Sequence, residues 1–558
     1  MKLHGQYLRL HSRFGLTGEA EVTMDELAAV LDCTRRNAMN IVQSMTERGW
    51  IDWQARRGRG LRSTLTFLAP PEDIAAQAML HTMNQRDIGR ALDQISAHSD
   101  ATALQDRLQG WLLSYFGHHS ETQTGKRIDT LRLPLREQIQ TVDPLSINLL
   151  AESFVASHVF DGLVRRAPEG GSILPNLAHA WETDAERKRW TFYLRKEVLF
   201  HNGKVMTADD VVYSLQRLAG TSRRMLYSSI IKTVESVNSP YPHTVVVVLK
   251  EPNELFLPFL CTTRAAVVPR DLEQLGERFG TAPVGTGPFK LTALNGRRCV
   301  LEAFTHYFQG RAHIDRVEIF HVPWNLPDET DDKAEQASPF HVVHNPQDGT
   351  DGDWSQINSP ASVRKFMTCN THRPGALADP QVRAGLFACL EGIEPDKSPA
   401  ADIPDKTIRM ATIDSYRHDA ELAAERLRRC GYLISVTAVS AEEFKGPIRM
   451  EADLIIFSLL RDRDEQLRLF DLYRTIASHI DPHIRLDMEL LLTHIAKQPD
   501  PVLREEAFRK IERQLIAEHQ LHILYEKPVQ TAYLPSVRGV TFNAQGWIDL
   551  RHLWFPPQ

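Results

Sequence analysis

Residues Thr34–Leu68, "TRRNAMNIVQSMTERGWIDWQARRGRGLRSTLTFL", change hydrophobic period halfway along. In the first half Ala38, Ile41, Val42 and Met45 fall at i, i+3, i+4 and i+7, one apolar stripe of a helix. At about 100° per residue, Arg36, Asn40, Gln43 and Glu47 point the other way. Gly49 follows as a residue suited to ending the helix. In the second half Ile51, Trp53 and Ala55, then Leu61, Ser63, Leu65 and Phe67, alternate with period two around "RRGRG". Two such runs about a glycine turn predict a β-hairpin.

Upstream, "TMDELAAVLD" (23–32) sets Thr23 three residues before Glu26, a capping box that opens a shorter helix with Leu27, Ala28 and Leu31 on its buried side. Two helices, a tight turn and a hairpin predict a winged helix-turn-helix over residues 1–70, closed by Pro70-Pro71. Its second helix would enter the major groove of double-stranded DNA. Thr34, Arg35, Arg36, Asn37, Asn40 and Gln43 are the candidate readers, because Arg pairs bidentately with guanine and Asn or Gln with adenine. Arg56, Arg57, Arg59 and Arg62 would hold backbone or minor groove from the wing. Residues 33–68 carry seven basic residues (35, 36, 48, 56, 57, 59, 62) against Glu47 and Asp52, a patch of about +5 in a chain of net charge -6. Such a patch supplies sequence-independent affinity that falls with salt.

At 558 residues the chain exceeds one ordinary domain. Residues 71–128 are expected to be a helical connector, with "HSETQTGKR" (119–127) as a linker and His118-His119 in a polar loop. The six cysteines are scattered without a C-x-x-C pair, which fits a reducing compartment and neither a disulfide framework nor a zinc site. His4, Gln6, Arg9 and His11 interrupt any secretory h-region, and no apolar run reaches about eighteen residues. A cytoplasmic protein without membrane attachment is the expectation. No H-E-x-x-H, G-x-S-x-G or P-loop is present, so no enzyme is predicted. "DETDDKAEQ" (328–336), "DGTDGDW" (348–354) and His341/His344 are read as structural rather than metal sites; no cofactor is expected.

From Thr130 onward the ordered motifs "FDGLVRR", "ILPNLAHAWE", "WTFYLRKEVLFHNGKVMTADDVVYSL", "PVGTGPFKL", "HYFQGRAHIDRVEI" and "CNTHRPGALADPQVRAGLFACL" resemble the family 5 extracellular solute-binding proteins. These are the oligopeptide- and nickel-type receptors of ABC transporters. The resemblance implies an α+β and α/β multidomain chain, a two-lobed periplasmic-binding-protein-like fold (class II, oligopeptide-receptor type) following the winged helix. It places the receptor at 129–558, with lobe 1 at about 129–335 and 525–558 and lobe 2 at about 336–524. Within "PVGTGPFKL", Gly285 and Gly287 are read as a tight turn. Joined to the N-terminal pattern "DELAAVLDCTRRNAMNIVQSMTERGWIDWQARRGRGLRSTLTFL", the chain resembles SgrR-type bacterial transcription regulators. That resemblance implies a cytoplasmic DNA-binding regulator whose receptor region senses a small-molecule effector of sugar, sugar-phosphate or peptide class. The alternative is a transporter receptor with an accessory N-terminal domain. The ligand-binding residues are unknown at this point; Trp354, Arg373 and Asp453 are merely of types that such clefts use. The oligomeric state stays open, a homodimer included.

Overall fold

The computed structural model of the chain describes residues 2–15, 19–56, 62–71, 73–74, 116–123, 125–135, 138–167, 171–221, 225–272, 276–321, 342–343, 355–393, 407–462, 464–533, 537–543 and 545–556. They fall into two compact units, the first ending at Phe116 and the second beginning at Gly117.

The first unit opens with α1 (Lys2–Phe14), followed by β1 (Glu19–Val22), α2 (Met24–Val30), α3 (Arg35–Glu47), β2 (Ile51–Gln54) and β3 (Ser63–Phe67). Thr23 caps α2 through the reciprocal pattern its sequence predicts: its side chain accepts from Glu26 N, and the Glu26 carboxylate accepts from Thr23 N at 2.8 Å. Thr34 caps α3, accepting from Asn37 N. The hairpin pairs in the expected register, Ile51 opposite Phe67 and Trp53 opposite Leu65. β1 adds a third strand on the other side of β3, giving the order β1-β3-β2. α1 lays Tyr7 and Leu10 into a core with Leu27, Ala38, Val42, Met45, Trp50 and Leu65. The Tyr7 hydroxyl donates to Ala69 O at 2.5 Å, tying the first helix to the exit of the wing. This is a winged helix.

Among the described residues the second unit contains four sheets, one of them a two-stranded pair. β4 (Gly117–Gln123) and β5 (Lys126–Leu135) form an antiparallel hairpin, so residues 117–128 are not part of a helical connector and "HSETQTGKR" is not a linker. Residues 75–115 of the expected connector lie outside the described residues. β4 sits at the edge of a five-stranded sheet, order β12-β13-β14-β5-β4 in the same strand numbering, where β12 is Phe289–Leu294, β13 is Arg298–Ala303 and β14 is Arg316–His321. An edge strand needs no apolar face of its own. β14 pairs parallel with β5. α4 (Leu150–Val159) covers the sheet, packing Phe154 and Val155 onto Leu131, Leu133, Val317 and Ile319. The chain's last stretch completes this core with Trp547, Ile548, Leu550 and Leu553.

Between these elements lie the short pair β6 (Val164–Arg166) and β7 (Ile173–Pro175), and the antiparallel sheet β10-β11-β9-β8. Its strands are β8 (Ala178–Thr183), β9 (Arg189–Leu194), β10 (Val234–Tyr241) and β11 (Thr244–Leu249), and α5 (Ala208–Ala219) packs against it. Trp190 and Phe192 are buried from β9.

The second lobe is built on β15 (Val342–Val343), β16 (Ser355–Cys369), β17 (Ile408–Ile413), β18 (Ile434–Val439), β19 (Leu454–Arg461) and β20 (Leu521–Tyr533), in the order β15-β20-β16-β19-β17-β18. α6 (Pro380–Leu390) and α7 (Arg417–Arg429) bury Leu386 and Leu427 with Met367, Met410 and Leu454. α8 (Glu465–Ile476), α9 (Pro482–Lys497) and α10 (Pro501–Ala517) behave differently: Leu467, Phe470, Tyr473, Leu492 and Phe508 share one continuous core with Trp190, Phe192, Phe256 and Phe259 of lobe 1. β20 remains in the lobe 2 sheet to Tyr533, so lobe 1 regains the chain near Val537 rather than at 525.

The "GTG" segment is not explained by a turn. Gly287 N donates to Val159 O at 2.9 Å, and a Cβ on Gly285 would stand 2.0 Å from that same oxygen. At Gly287 it would stand 2.5 Å from the Val159 carbonyl carbon. The glycines let one main chain run directly against the end of α4, a close approach that any side chain would block.

Candidate nucleic-acid interface and solute cavities

In the winged helix, α3 buries Ala38, Ile41, Val42 and Met45 and exposes Thr34, Arg35, Arg36, Asn37, Asn40 and Gln43. All six candidate readers therefore share the solvent side of one helix, with the arginines and Asn37 in its first turn. Cap geometry fixes that turn, and a helix N-terminus also favours anions such as phosphate. Gln43 Nε2 is engaged by Glu47 Oε1 at 3.0 Å. Met39 lies on the same exposed side, a residue that the sequence reading passed over.

Arg56 and Arg62 stand exposed at the two ends of the wing strands; Arg57 and Arg59 lie outside the described residues. The basic residues do not stand alone. Arg35 meets Asp25 at 3.5 Å, Arg56 meets Glu21 at 3.7 Å, and Arg62 Nη2 reaches Glu26 Oε1 at 2.5 Å. Three carboxylates from β1 and α2, distant in sequence from the basic run, share its surface. Adding these three acids to the seven-against-two count lowers the formal patch charge from about +5 to about +2. The Thr23 backbone N–H and the Arg62 guanidinium hold the Glu26 carboxyl below its ordinary range, so this acid stays charged. Among the described residues, no such pairing is found for the side chains of Arg36, Asn37 or Asn40.

In the receptor unit, a cavity of about 200 Å³ lies under α4 and the C-terminal stretch, lined by His158, Asp161, Asn176, Tyr307, Asp549 and Arg551 among others. Asp161 accepts from Asn176 Nδ2 at 3.1 Å, Thr286 Oγ1 at 3.2 Å and the Tyr307 hydroxyl at 3.3 Å. Burial raises its pKa against these donors. Arg551 donates to Asp549 Oδ2 and to Gln309 Oε1, both at 2.9 Å. Burial pushes the Asp549 carboxyl up, but the Arg551 charge beside it wins and holds it low. His158 is buried and uncharged: Leu550 N donates to its Nε2, so its Nδ1 carries the proton to Phe154 O.

A second, larger groove of about 1100 Å³ runs between lobe 1 and α8 and α10. Its charged lining is largely paired within itself, Arg187 with Glu254, Arg364 with Glu512 and Arg461 with Glu465. Arg166 lines both spaces, and Asp464, joined to it at 2.7 Å, lines the smaller one. Of these two spaces the groove is the one that reaches the roughly 300–1,000 Å³ typical of small-molecule sites. Elsewhere the lobes touch where Asn148 Nδ2 donates to Glu442 Oε2 at 3.1 Å and Leu150 packs on Val363 and Leu460.

Of the residue types considered for the cleft, Arg373 and Asp453 come together at 3.9 Å, and Asp453 also accepts from Arg409 N at 2.8 Å; neither lines the two spaces above. Trp354, His341, His344 and both acidic loops lie outside the described residues. His118 is a β4 residue, hydrogen-bonded to Asp129 at 2.9 Å and stacked on Phe555. No helix among the described residues is long and apolar enough to cross a membrane.

The protein thus combines a winged helix with a solute-binding-protein fold, and known proteins divide it the same way. The family model described as "Sugar transport-related sRNA regulator N-term" matches residues 2–120, and "Bacterial extracellular solute-binding proteins, family 5 Middle" matches 172–390. Among solved structures, the chain is similar to the periplasmic binding protein DppA from Helicobacter pylori in complex with peptide STSA (TM-score 0.62, 16% identity, 76% of this chain and 98% of that one). It is equally similar to a dipeptide-binding protein from Pseudoalteromonas sp. SM9913 in complex with Met-Leu (TM-score 0.62, 18% identity, 76% and 100%). At such identities the likeness is one of fold.

Full-length relatives narrow this class. The chain is 26% identical to the HTH-type transcriptional regulator SgrR of Yersinia enterocolitica over 594 residues, covering 100% of this chain and 99% of the relative. It is 26% identical to the SgrR of Pectobacterium atrosepticum over 590 residues, and 27% identical over 573 residues to YhjP of Bacillus subtilis, with 96% of each chain covered. Over its whole length the chain is thus similar to SgrR-type regulators, with a match to the SgrR N-terminal model followed by one to the family 5 solute-binding model.

Proposed function

We propose that this chain is a cytoplasmic transcriptional regulator that binds double-stranded promoter DNA through α3 and the wing, and whose family 5 unit senses a small solute. The observation that carries the reading is the two-sided α3: a fully buried apolar stripe fixes the helix, and Arg36, Asn37 and Asn40 are exposed on the other side. Arg36 and Asn40 read bases. Arg35, Arg56, Arg57, Arg59 and Arg62 hold phosphates, and Thr34 and Gln43 frame the contact. The regulator name of the full-length relatives supports this assignment, and the description of the N-terminal family model points to a sugar-related effector.

The effector acts by population shift. It alters DNA affinity to the extent that it binds one arrangement of the receptor unit more tightly than another. The large charged groove suits a polar solute, because its paired arginines and carboxylates can exchange partners with hydroxyl or anionic groups.

The test replaces Arg36 and Asn40 singly with Ala in the full chain and measures binding to the DNA upstream of its own gene. Each variant is expected to lose about 1–3 kcal/mol of specific binding while sparing unrelated duplexes. Unchanged sequence preference in both variants would overturn the assignment. Effector binding is measured by thermal shift of the full chain against sugars, sugar phosphates and peptides.

A further inference from the structure

The outward stripe of α3 contains a residue whose chemistry does not match its surroundings. Arg36, Met39, Asn40 and Gln43 follow one another at i, i+3, i+4 and i+7, directly opposite the buried Ala38, Ile41, Val42 and Met45. Met39 is 55% exposed, and it belongs neither to the winged-helix core nor to the partly buried residues packed around that core. The core is complete without it. Local stability does not call for a thioether here either, since glutamine or lysine forms helices as well as methionine and is better solvated. A long, unbranched, polarizable side chain flanked by Arg36 and Asn40 is an apolar contact waiting for an apolar partner.

On a duplex, the partner available to a helix in the major groove is the thymine 5-methyl group, the one apolar feature of the base edges there. We propose that Met39 is a specificity-determining residue that closes over a thymine methyl beside the bases that Arg36 and Asn40 read. This rests on the DNA-binding reading above. The recognised sequence then carries a thymine next to a guanine or adenine. Preference at that step comes from shape and burial rather than from a hydrogen bond.

The experiment begins with the full chain selecting duplexes from a randomised DNA library. Each thymine of the selected sequence is then replaced singly by uracil, which deletes only the 5-methyl group, and binding is followed by fluorescence anisotropy. The wild-type chain is expected to lose about fourfold at a thymine of the selected sequence, the equivalent of one buried methyl. Met39→Ala is expected to bind the parent duplex about fourfold or more weakly and to be indifferent to uracil at that thymine, whereas Met39→Leu keeps the sensitivity. Because Met39 lies outside the core, both variants should melt with the wild type, so that a weaker complex is not a folding defect. A Met39→Ala chain with the wild-type uracil profile would overturn the role of Met39 while leaving α3 as the reader. A chain that enriches no sequence at all would overturn the DNA reading and this inference together.

Discussion

Protonation of His201 offers a measure of how tightly the "GTG" segment is held. The imidazole is 6% exposed, edge-on to Phe304, and lies between two backbone groups of the segment. Gly285 N donates to Nδ1 at 3.3 Å, so the ring proton sits on Nε2, which donates to Gly287 O at 3.0 Å. A second proton would have to enter at Nδ1, facing an N–H, in a dry site. Burial, with Lys290 adding to it, therefore lowers the pKa from 6.5 to about 4. That difference corresponds to about 3 kcal/mol. Because the folded pKa is depressed, the unfolded chain takes up the proton first. Stability is whole above pH 6.5 and falls as pH drops towards 4. About 2 kcal/mol of it is gone by pH 5, a large part of a typical domain's stability of about 5–15 kcal/mol. Urea unfolding of the full chain at pH 7 and pH 5 should show a wild-type loss that exceeds that of His201→Gln by about 2 kcal/mol. Nitrogen-15 NMR of the labelled imidazoles, with His201→Gln supplying the assignment among 23 histidines, gives the site directly. A His201 signal that titrates near 6.5, or equal losses in both chains, would refute the reasoning.

Two further outcomes follow from geometry alone. Gly285→Ala brings a methyl to 2.0 Å from Val159 O, and the backbone that carries that oxygen is helical and buried. Calorimetry of the receptor unit's transition in the full chain should show a loss of about 3 kcal/mol or more, whereas Ala at the open, exposed Gly5 of α1 should leave that transition in place and favour its own helix by up to about 1 kcal/mol. Glu21→Gln with Asp25→Asn releases Arg56 and Arg35 from their carboxylates. Binding to arbitrary duplex DNA at low salt should tighten several-fold with a steeper salt dependence, and thermal stability should move by less than about 1 kcal/mol because both pairs are exposed.

Local rules carried much of this architecture. Thr23 with Glu26, the 38-41-42-45 stripe and the 51-53/65-67 alternation each describe a contact made within a few residues or across one turn, and each is found as read. The passages that misled the reading are those whose meaning lies in a distant partner. The polar sequence of β4 looks like a linker because an edge strand takes its order from β5. Lys2–Phe14 carries Leu3, Tyr7, Leu10 and Phe14 at helical spacing; weighed only as a leader segment, it went unnoticed as the helix that completes the core. The carboxylates that temper the basic patch come from residues 21–26, outside the window in which the arginines were counted. The need for glycine at 285 and 287 arises from α4, well over a hundred residues earlier in the chain. The shared core of α8–α10 and the four-stranded sheet follows the same pattern, since no residue near 470 or 508 advertises that its neighbours lie near 190 and 256.

The order in which cores close has a consequence for the making of this protein. Every buried member of the winged-helix core lies between Tyr7 and Ile74. The five-stranded sheet, in contrast, starts at β4 and β5, receives β14 almost two hundred residues later, and has Leu553 and Phe555 in its core. The winged helix can thus fold while the ribosome is still at work on the rest, and lobe 1 cannot close until the final residues emerge. Synthesis of the 481 residues from Ile74 to Phe555 (555 minus 74) takes about 25–100 s at about 5–20 residues per second. For that interval each nascent chain carries a finished winged helix without a closed receptor unit.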